Sequence, residues 1–304
     1  MPLSTWPKLG LTIIFSLLFS GFSSLFAQKT EGLQPLKARF QLQQKGRFYF
    51  SWGYNRSWYN KSDIHFTGSG HDFVLSDVVA ADRQSKLSAE YFNPGLLTIP
   101  QFNCRIGYFL NRRYSLSIGW DHMKYVARDF QTVKLSGRID PSGITDGGIK
   151  EKMEQFNLKY AASGNYDQVP VVMDPDEFLH LEHTDGLNYA SLDLDRYDPL
   201  WQNAKHSAQG ISLVSGVSAG MVVPRTDAHL FGSGKNHYWN VAGWGIGAKL
   251  GLQISIFKHF YLQSDFKYGY LDLLNIHTTD HPKVDKAQQH IVFYQWNGSF
   301  GFRF

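Results

Sequence analysis

The chain has 304 residues and a formal net charge of +4, and it contains one cysteine, Cys104. This charge is too small and too dispersed to indicate a nucleic-acid partner, and a single cysteine excludes an internal disulfide framework or a cysteine-based metal cluster. The mean hydropathy of −0.30 resembles that of a soluble protein, but strands that alternate between polar and apolar residues give the same average.

The N-terminus has the composition of an export signal. One lysine, Lys8, precedes an apolar run over residues 9–26, and Ala27 closes it. This order is typical of a secretory signal peptide and predicts cleavage after Ala27. The run also approaches the length of an N-terminal membrane helix, which is the alternative. Residues 28–45 have no clear period and are interpreted as a periplasmic lead-in.

The first predicted strand begins at Phe48 and continues to about Trp58, with aromatic residues on one face and small polar residues on the other. A long connection follows over residues 60–97. Its segments 62–67 and 72–79 are compatible with a hairpin, or with extensions of membrane strands above the bilayer.

Strands two and three are predicted at residues 98–110 and 114–126, on either side of a short turn. A tight turn fixes register, and the pairing that places all apolar residues on one face puts Asn103 opposite Asp121. Arg105 then lies on a diagonal to Asp121, so we expect an ion pair on the inner face.

Residues 131–186 form the largest block without strand alternation, and within it residues 150–160 are compatible with either helix or strand. Strand four is predicted at residues 187–197, with Asp193 and Asp195 facing inward, and strand five at residues 209–223.

Strands six and seven are predicted at residues 238–256 and 260–274, and the same register argument applies to the turn between them. It places Lys249 opposite Lys267, an unfavourable like-charge pair unless Asp265 lies between the two ammonium groups.

The eighth strand, residues 288–304, ends the chain on alternating phenylalanines, Phe300, Phe302 and Phe304. In this respect the sequence resembles the Gram-negative outer-membrane β-barrel proteins, whose final strand commonly ends in an aromatic residue read by the barrel-assembly machinery. The resemblance implies that these phenylalanines are an assembly signal. It also implies an outer-membrane location, with outer-membrane lipid and that machinery as partners.

Eight such strands predict an all-β fold, a transmembrane antiparallel up-and-down β-barrel, although ten or more strands are possible. An even number places both termini on the periplasmic side, with long extracellular loops at about residues 60–97 and 131–186. The interior of an eight-stranded barrel is filled by side chains, so we expect a plugged scaffold rather than a pore.

Two groups of residues are candidates for chemistry. The inner charges are predicted to form a structural network: Arg105, Asp121, Lys249, Asp265 and Lys267. Near the outer rim, His183, Asp185 and His122 are weak acid–base candidates. Omptin proteases and lipid A-modifying barrels also carry such residues at the rim. No motif of those enzymes matches, however, so an exposed polar loop is predicted and no catalytic residue is assigned.

A metal site is the third possibility, because His180, Glu182 and His183 could supply ligands from a bent loop. Their spacing is not that of an established metal motif, so neither a metal nor a cofactor is predicted.

The leading hypothesis is a non-enzymatic barrel that presents extracellular loops for adhesion, surface binding or envelope integrity. One alternative is a lipid A-modifying or proteolytic barrel enzyme. Another is a wider porin or transporter, which would require residues 63–80 to cross the membrane. The sequence identifies no extracellular ligand or partner protein.

Overall fold

The computed structural model describes residues 44–84, 100–233 and 239–304. The predicted signal peptide and nearly all of the predicted lead-in lie outside the described residues. The described strands are, in chain order, β1 (Phe48–Tyr59), β2 (Ser62–Gly68), β3 (His71–Val78), β4 (Ala80–Ala81), β5 (Phe102–Phe109), β6 (Tyr114–Ala127), β7 (Thr132–Ile139), β8 (Asn165–Val172), β9 (Leu179–Gln202), β10 (Gly210–Pro224), β11 (Asp227–Leu230), β12 (Gly243–Ser255), β13 (Phe260–His277) and β14 (Lys286–Arg303).

Eight of these strands close into an antiparallel ring in the order β1-β5-β6-β9-β10-β12-β13-β14, and β14 pairs back with β1. Each ring strand overlaps one of the eight predicted strands. The two predicted hairpin registers are confirmed, since Ile106 pairs with Ile118 and Ile254 pairs with Leu262. Closure leaves no unpaired edge in the ring.

An apolar belt surrounds the ring, because every second side chain of a strand points outward. Its exposed members include Phe50, Ile106, Ile118, Leu192, Met221, Leu250, Phe266 and Phe302. So large a continuous apolar surface is unfavourable in water and suits contact with hydrocarbon.

A folded lobe stands at one end of the ring and consists of β2, β3, β7, β8 and the helix α1 (Gly147–Tyr160). Its sheet continues from the upper part of β14 in the order β2-β3-β7-β8. Residues 63–78 therefore belong to β2, β3 and their turn in this lobe, and β4 pairs with β6 outside the ring order, so the wider barrel of the transport alternative does not form within the described chain. We call this end of the barrel the lobe end, and the opposite end, with the short turns at 111–113 and 257–259, the turn end.

Two segments of the predicted loop 131–186 have regular structure. Residues 147–160 form α1, where the Asp146 carboxylate caps the first turn by accepting the Gly148 and Ile149 N–H groups. Residues 179–186 belong to β9, so the prediction of an exposed polar loop there is wrong. The strand continues because its upper part pairs with β6 on one side and β11 on the other.

The inside of the molecule is layered along the barrel axis. An apolar cap fills the lobe and the upper barrel, with members such as Phe66, Phe73, Leu135, Phe156, Phe178, Leu271 and Phe293. An aromatic plug occupies the turn end and consists of Tyr49, Phe109, Tyr197, Val214 and Tyr261. Charged side chains lie between cap and plug.

None of the helices in the described part of the chain combines the length and the apolar character that a membrane span would need.

Candidate functional site

The middle of the barrel holds a charge layer made of Arg105, Asp121, Asp193, Asp195, Lys249 and Lys267, all buried. Arg105 on β5 lies between two carboxylates. Its Nη2 is 2.7 Å from Oδ1 of Asp121 on β6, and its Nε is 2.5 Å from Oδ2 of Asp193 on β9. The predicted Arg105–Asp121 ion pair is therefore confirmed.

The two lysines also bind carboxylates from β6 and β9. Nζ of Lys267 is 2.5 Å from Oδ2 of Asp121, and Nζ of Lys249 is 2.9 Å from Oδ2 of Asp195. Lys249 and Lys267 are direct cross-strand neighbours, as predicted. Asp265 makes no ion pair within the described residues and instead accepts hydrogen bonds from Asn297 and Gln263. The carboxylates that relieve the like-charge pair are therefore Asp195 and Asp121, and not Asp265.

Asp193 and Asp195 are the members of the charge layer that sequence reasoning left out. Their inward parity was visible, because Ser191, Asp193 and Asp195 alternate with leucines and alanine. Their partners were not visible, since Arg105 is 88 residues from Asp193 and Lys249 is 56 residues from it. The ladders that join β5 to β9 through β6, and β12 to β9 through β10, bring them together.

Glycines provide the space that the long cationic side chains occupy. A Cβ atom on Gly119 would lie 2.7 Å from Cζ of Arg105, and a Cβ atom on Gly216 would lie 3.0 Å from Cε of Lys249. The Cβ atom on Gly216 would lie closer still to Oδ1 of Asp195. An added methyl group at either position would therefore displace members of the charge layer.

The aromatic plug encloses the buried guanidinium of Arg303. This group lies 4.5 Å from the ring centroid of Tyr261 and 6.0 Å from that of Phe109. Its Nη1 donates to Oγ of Ser255 at 3.1 Å and its Nη2 donates to Gln253. Cation–π contact and neutral acceptors therefore hold this cation at the turn end.

The weak rim candidates are separated from one another. His122 contacts Oδ1 of Asn188 through Nδ1 at 2.7 Å, and Nδ1 of His183 is 3.1 Å from Oγ1 of Thr226. Asp185 pairs with Arg225 at 3.2 Å. The three side chains do not converge on a common point, and His122 and His183 are buried.

His183 and His180 lie above the belt on the lobe side, and their surroundings shift their pKa values in opposite directions. Burial lowers the pKa of His183 to about 4, so its imidazole is neutral near pH 7. Contacts with Glu182 and Asp129 raise the pKa of His180 to about 9, and the same His180 contact lowers the pKa of Glu182 to about 2.

The proposed metal ligands do not assemble. His180 and His183 stand on opposite faces of β9, because they are an odd number of residues apart in a strand rather than in a bent loop. Across residues 44–84, 100–233 and 239–304, no group of three or more His, Cys, Asp or Glu side chains is arranged to hold a metal ion.

A further polar group lies on the outer surface at the upper edge of the belt. Asp272 and His290 are direct partners on β13 and β14, with Oδ1 of Asp272 3.0 Å from Nδ1 of His290. The Tyr270 hydroxyl is 2.9 Å from the same nitrogen. Sequence reasoning missed this group, since only the strand pairing brings Asp272 and His290 together.

The closed ring satisfies its own backbone hydrogen bonds, faces outward with an apolar belt, and encloses polar side chains. Hydrocarbon suits that outer surface, and a sheet can cross hydrocarbon only when it is closed into a barrel. The chain is a transmembrane β-barrel.

The assignment rests on the geometry, because comparisons with known proteins add no argument to it. No family model matches the barrel, and a search of curated proteins finds no relative. Similar solved structures include outer membrane protein OprG from Pseudomonas aeruginosa, at 10% identity and a TM-score of 0.38, covering 86% of this chain and 97% of that one. The attachment invasion locus protein Ail of Yersinia pestis has 12% identity and a TM-score of 0.33, covering 86% and 99%. The outer membrane protease OmpT from Escherichia coli has 9% identity and a TM-score of 0.25, covering 91% and 100%. Such low values carry no argument about the function of this barrel.

Proposed function

We propose that this barrel is a plugged, non-enzymatic scaffold whose lobe is extracellular and serves as a structural or binding surface. The observation that carries the proposal is the layered interior: apolar cap, charge layer and aromatic plug follow one another along the axis. A barrel of eight strands has room for side chains but not for an aqueous channel beside them.

The lobe supports a surface role because its apolar core is continuous with that of the barrel. Phe66, Phe73 and Phe178 from the lobe share one buried cluster with Leu271 and Phe293 from the ring strands. A surface fixed in this way loses little conformational freedom when it binds a partner, which favours recognition by a preformed face.

Planar-bilayer recording of the purified protein tests the plugged interior. We expect no persistent channel, while heat-modifiable migration on an unboiled gel shows that the same sample contains closed barrels. A stable open conductance from that sample would contradict the proposal.

A second candidate function is favoured by the Asp272–His290 pair. A carboxylate that orients a histidine is a common arrangement for a general base, and this one lies where lipid headgroups would meet the belt. In this alternative the barrel modifies an outer-leaflet lipid, with His290 as the base.

Lipid analysis separates the two candidates. If His290 is a base, His290→Ala alters the lipid A or phospholipid profile of the cell. The control His281→Ala, also an exposed histidine beside a carboxylate, leaves that profile unchanged. Identical profiles for wild type and both variants would exclude the enzymatic alternative.

A further inference from the structure

A set of uncharged polar side chains lies between the charge layer and the apolar cap, on the β1 and β14 side of the barrel. Its members are Asn55, Ser57, Gln101 and Gln295, which are exposed by 0%, 1%, 0% and 0%. We call this set the polar pocket. Among the described residues, no hydrogen-bond partner exists for Oδ1 of Asn55, Oγ of Ser57, Oε1 of Gln101 or either amide atom of Gln295.

The four side chains are neighbours through the strand ladders and one carboxylate. Ser57 pairs directly with Gln295, and Gln295 pairs directly with Lys267. The Asp82 carboxylate accepts the Ser57 N–H group at 2.9 Å and also a hydrogen bond from the Gln101 amide. Asn55 lies two residues before Ser57 and therefore on the same face of β1.

Buried polar atoms without protein partners are unfavourable, and where several of them cluster they are commonly satisfied by ordered water. In the charge layer, by contrast, each of the three cations contacts a carboxylate.

The hydrogen-bonding character of the unpaired atoms indicates what kind of molecule fits the polar pocket. Four of the five are oxygens that can accept hydrogen bonds, which is the wrong character for an anion site. Both oxygens of the Asp82 carboxylate already accept hydrogen bonds, from the Ser57 N–H group and the Gln101 amide, which leaves only uncharged oxygens for a bound cation. Water both donates and accepts, and four acceptor oxygens require about two water molecules because each donates two hydrogens.

We propose that the polar pocket is a site for a small cluster of ordered water molecules. The cluster hydrates the barrel between the Asp82 carboxylate and the charge layer, while the aromatic plug closes the other end. The site is a blind, hydrated pocket and is compatible with a barrel that does not conduct.

Water-selective nuclear Overhauser spectroscopy on the purified barrel in lipid nanodiscs tests this site directly. The signal is read at the side-chain amide protons of Gln295 in the wild type, and again in Ser57→Ala, which shows whether exchange of the Ser57 hydroxyl imitates bound water. We expect a cross-peak between those protons and a long-lived water. Absence of the cross-peak in a folded sample would overturn the proposal.

The substitution Gln295→Met gives an independent readout, because methionine has a similar length and no hydrogen-bonding amide. If water occupies the pocket, the variant removes two atoms that hydrogen-bond to the water cluster and lowers the denaturant midpoint. If the pocket is dry, the variant removes two unpaired buried atoms and raises the midpoint, which would contradict the proposal.

The matched control for that measurement is Gln289→Met on the same face of β14. The Gln289 amide nitrogen donates to Ser62 at 2.8 Å and to Tyr125 at 2.6 Å. Its replacement lowers the midpoint whether or not the polar pocket holds water, and it shows that the assay detects a lost buried amide.

Discussion

Asp193 is the residue on which the charge layer converges. Its carboxylate receives Nε of Arg105 at 2.5 Å, Nζ of Lys249 at 3.5 Å and the Ser191 hydroxyl at 2.6 Å. Both cations are buried inside the barrel, so each depends on a carboxylate for compensation.

We therefore expect Asp193→Asn to destabilise the barrel strongly, because Arg105 and Lys249 lose part of their compensating charge. Breaking a buried pair in this way costs about 3–5 kcal/mol, measurable as a shift of the denaturant midpoint. Asp167→Asn on the exposed part of β8 is the control and should leave the midpoint unchanged. Equal midpoints for the two variants would refute the role of Asp193.

The buried His183 makes the stability of the barrel depend on pH. Its pKa falls from 6.5 to about 4 on folding, because burial disfavours the imidazolium. Below pH 6.5 the unfolded chain therefore binds a proton that the folded chain does not, and this contribution to stability is lost progressively between about pH 6.5 and 4.

The substitution His183→Gln should flatten that loss while keeping a polar group near Thr226. Denaturant midpoints measured from pH 4 to 8 test this, with His281→Gln at an exposed position as the control. If the wild type and His183→Gln lose stability in parallel as the pH falls, the buried histidine is not the cause.

At the scale of elements, β8 ends the lobe sheet, and its outer edge is protected against strand addition. Pro170 has no N–H group, and the Val172 N–H group donates to the Tyr160 hydroxyl at 3.3 Å. Gln168 adopts a φ of 53° at a shift in the β7–β8 register, which makes the edge irregular. Exposed edges with free N–H groups promote association, so these features favour a lobe that does not pair with another sheet.

Restoring the donors of this edge should promote self-association. For Pro170→Val combined with Tyr160→Phe, we expect dimers or larger species in analytical ultracentrifugation of the detergent-solubilised protein, while the wild type shows fewer of them. Tyr160→Phe alone is the matched control, because Pro170 still interrupts the edge. A double variant that sediments like the control would show that the edge is not what prevents association.

The strand β9 shows why the boundaries of a strand could not always be predicted from the sequence. Its 24 residues exceed the roughly 10 that a tilted transmembrane strand needs. The extra length lies above the belt, where β6 and β11 flank it and where both polar and apolar side chains are buried. Alternation is lost there, so residues 179–186 read as a loop although they are a strand.

For the whole molecule, the placement of the lobe outside the cell is testable by labelling. In a Cys104→Ser background, we expect Leu158→Cys on α1 to react with a membrane-impermeant maleimide on intact cells, since Leu158 is 77% exposed. Lys258→Cys at the turn end should react only after the outer membrane is opened. The reverse pattern would place the lobe in the periplasm.

The sequence by itself determined the ring. A period of two identifies strands because one face meets lipid and the other the interior, and the short turns at 111–113 and 257–259 fix two registers through local geometry. It also predicted Arg105 and Asp121 as partners, because they lie on adjacent strands joined by a tight turn.

The tertiary structure alone decided which distant residues meet. The carboxylates that compensate Lys249 and Lys267 come from β6 and β9, the Asp272–His290 pair forms between β13 and β14, and the polar pocket spans β1 and β14. Such contacts arise from ring closure and from the long upper strands. They leave no periodic signal in the sequence, because the residues that meet are far apart along the chain.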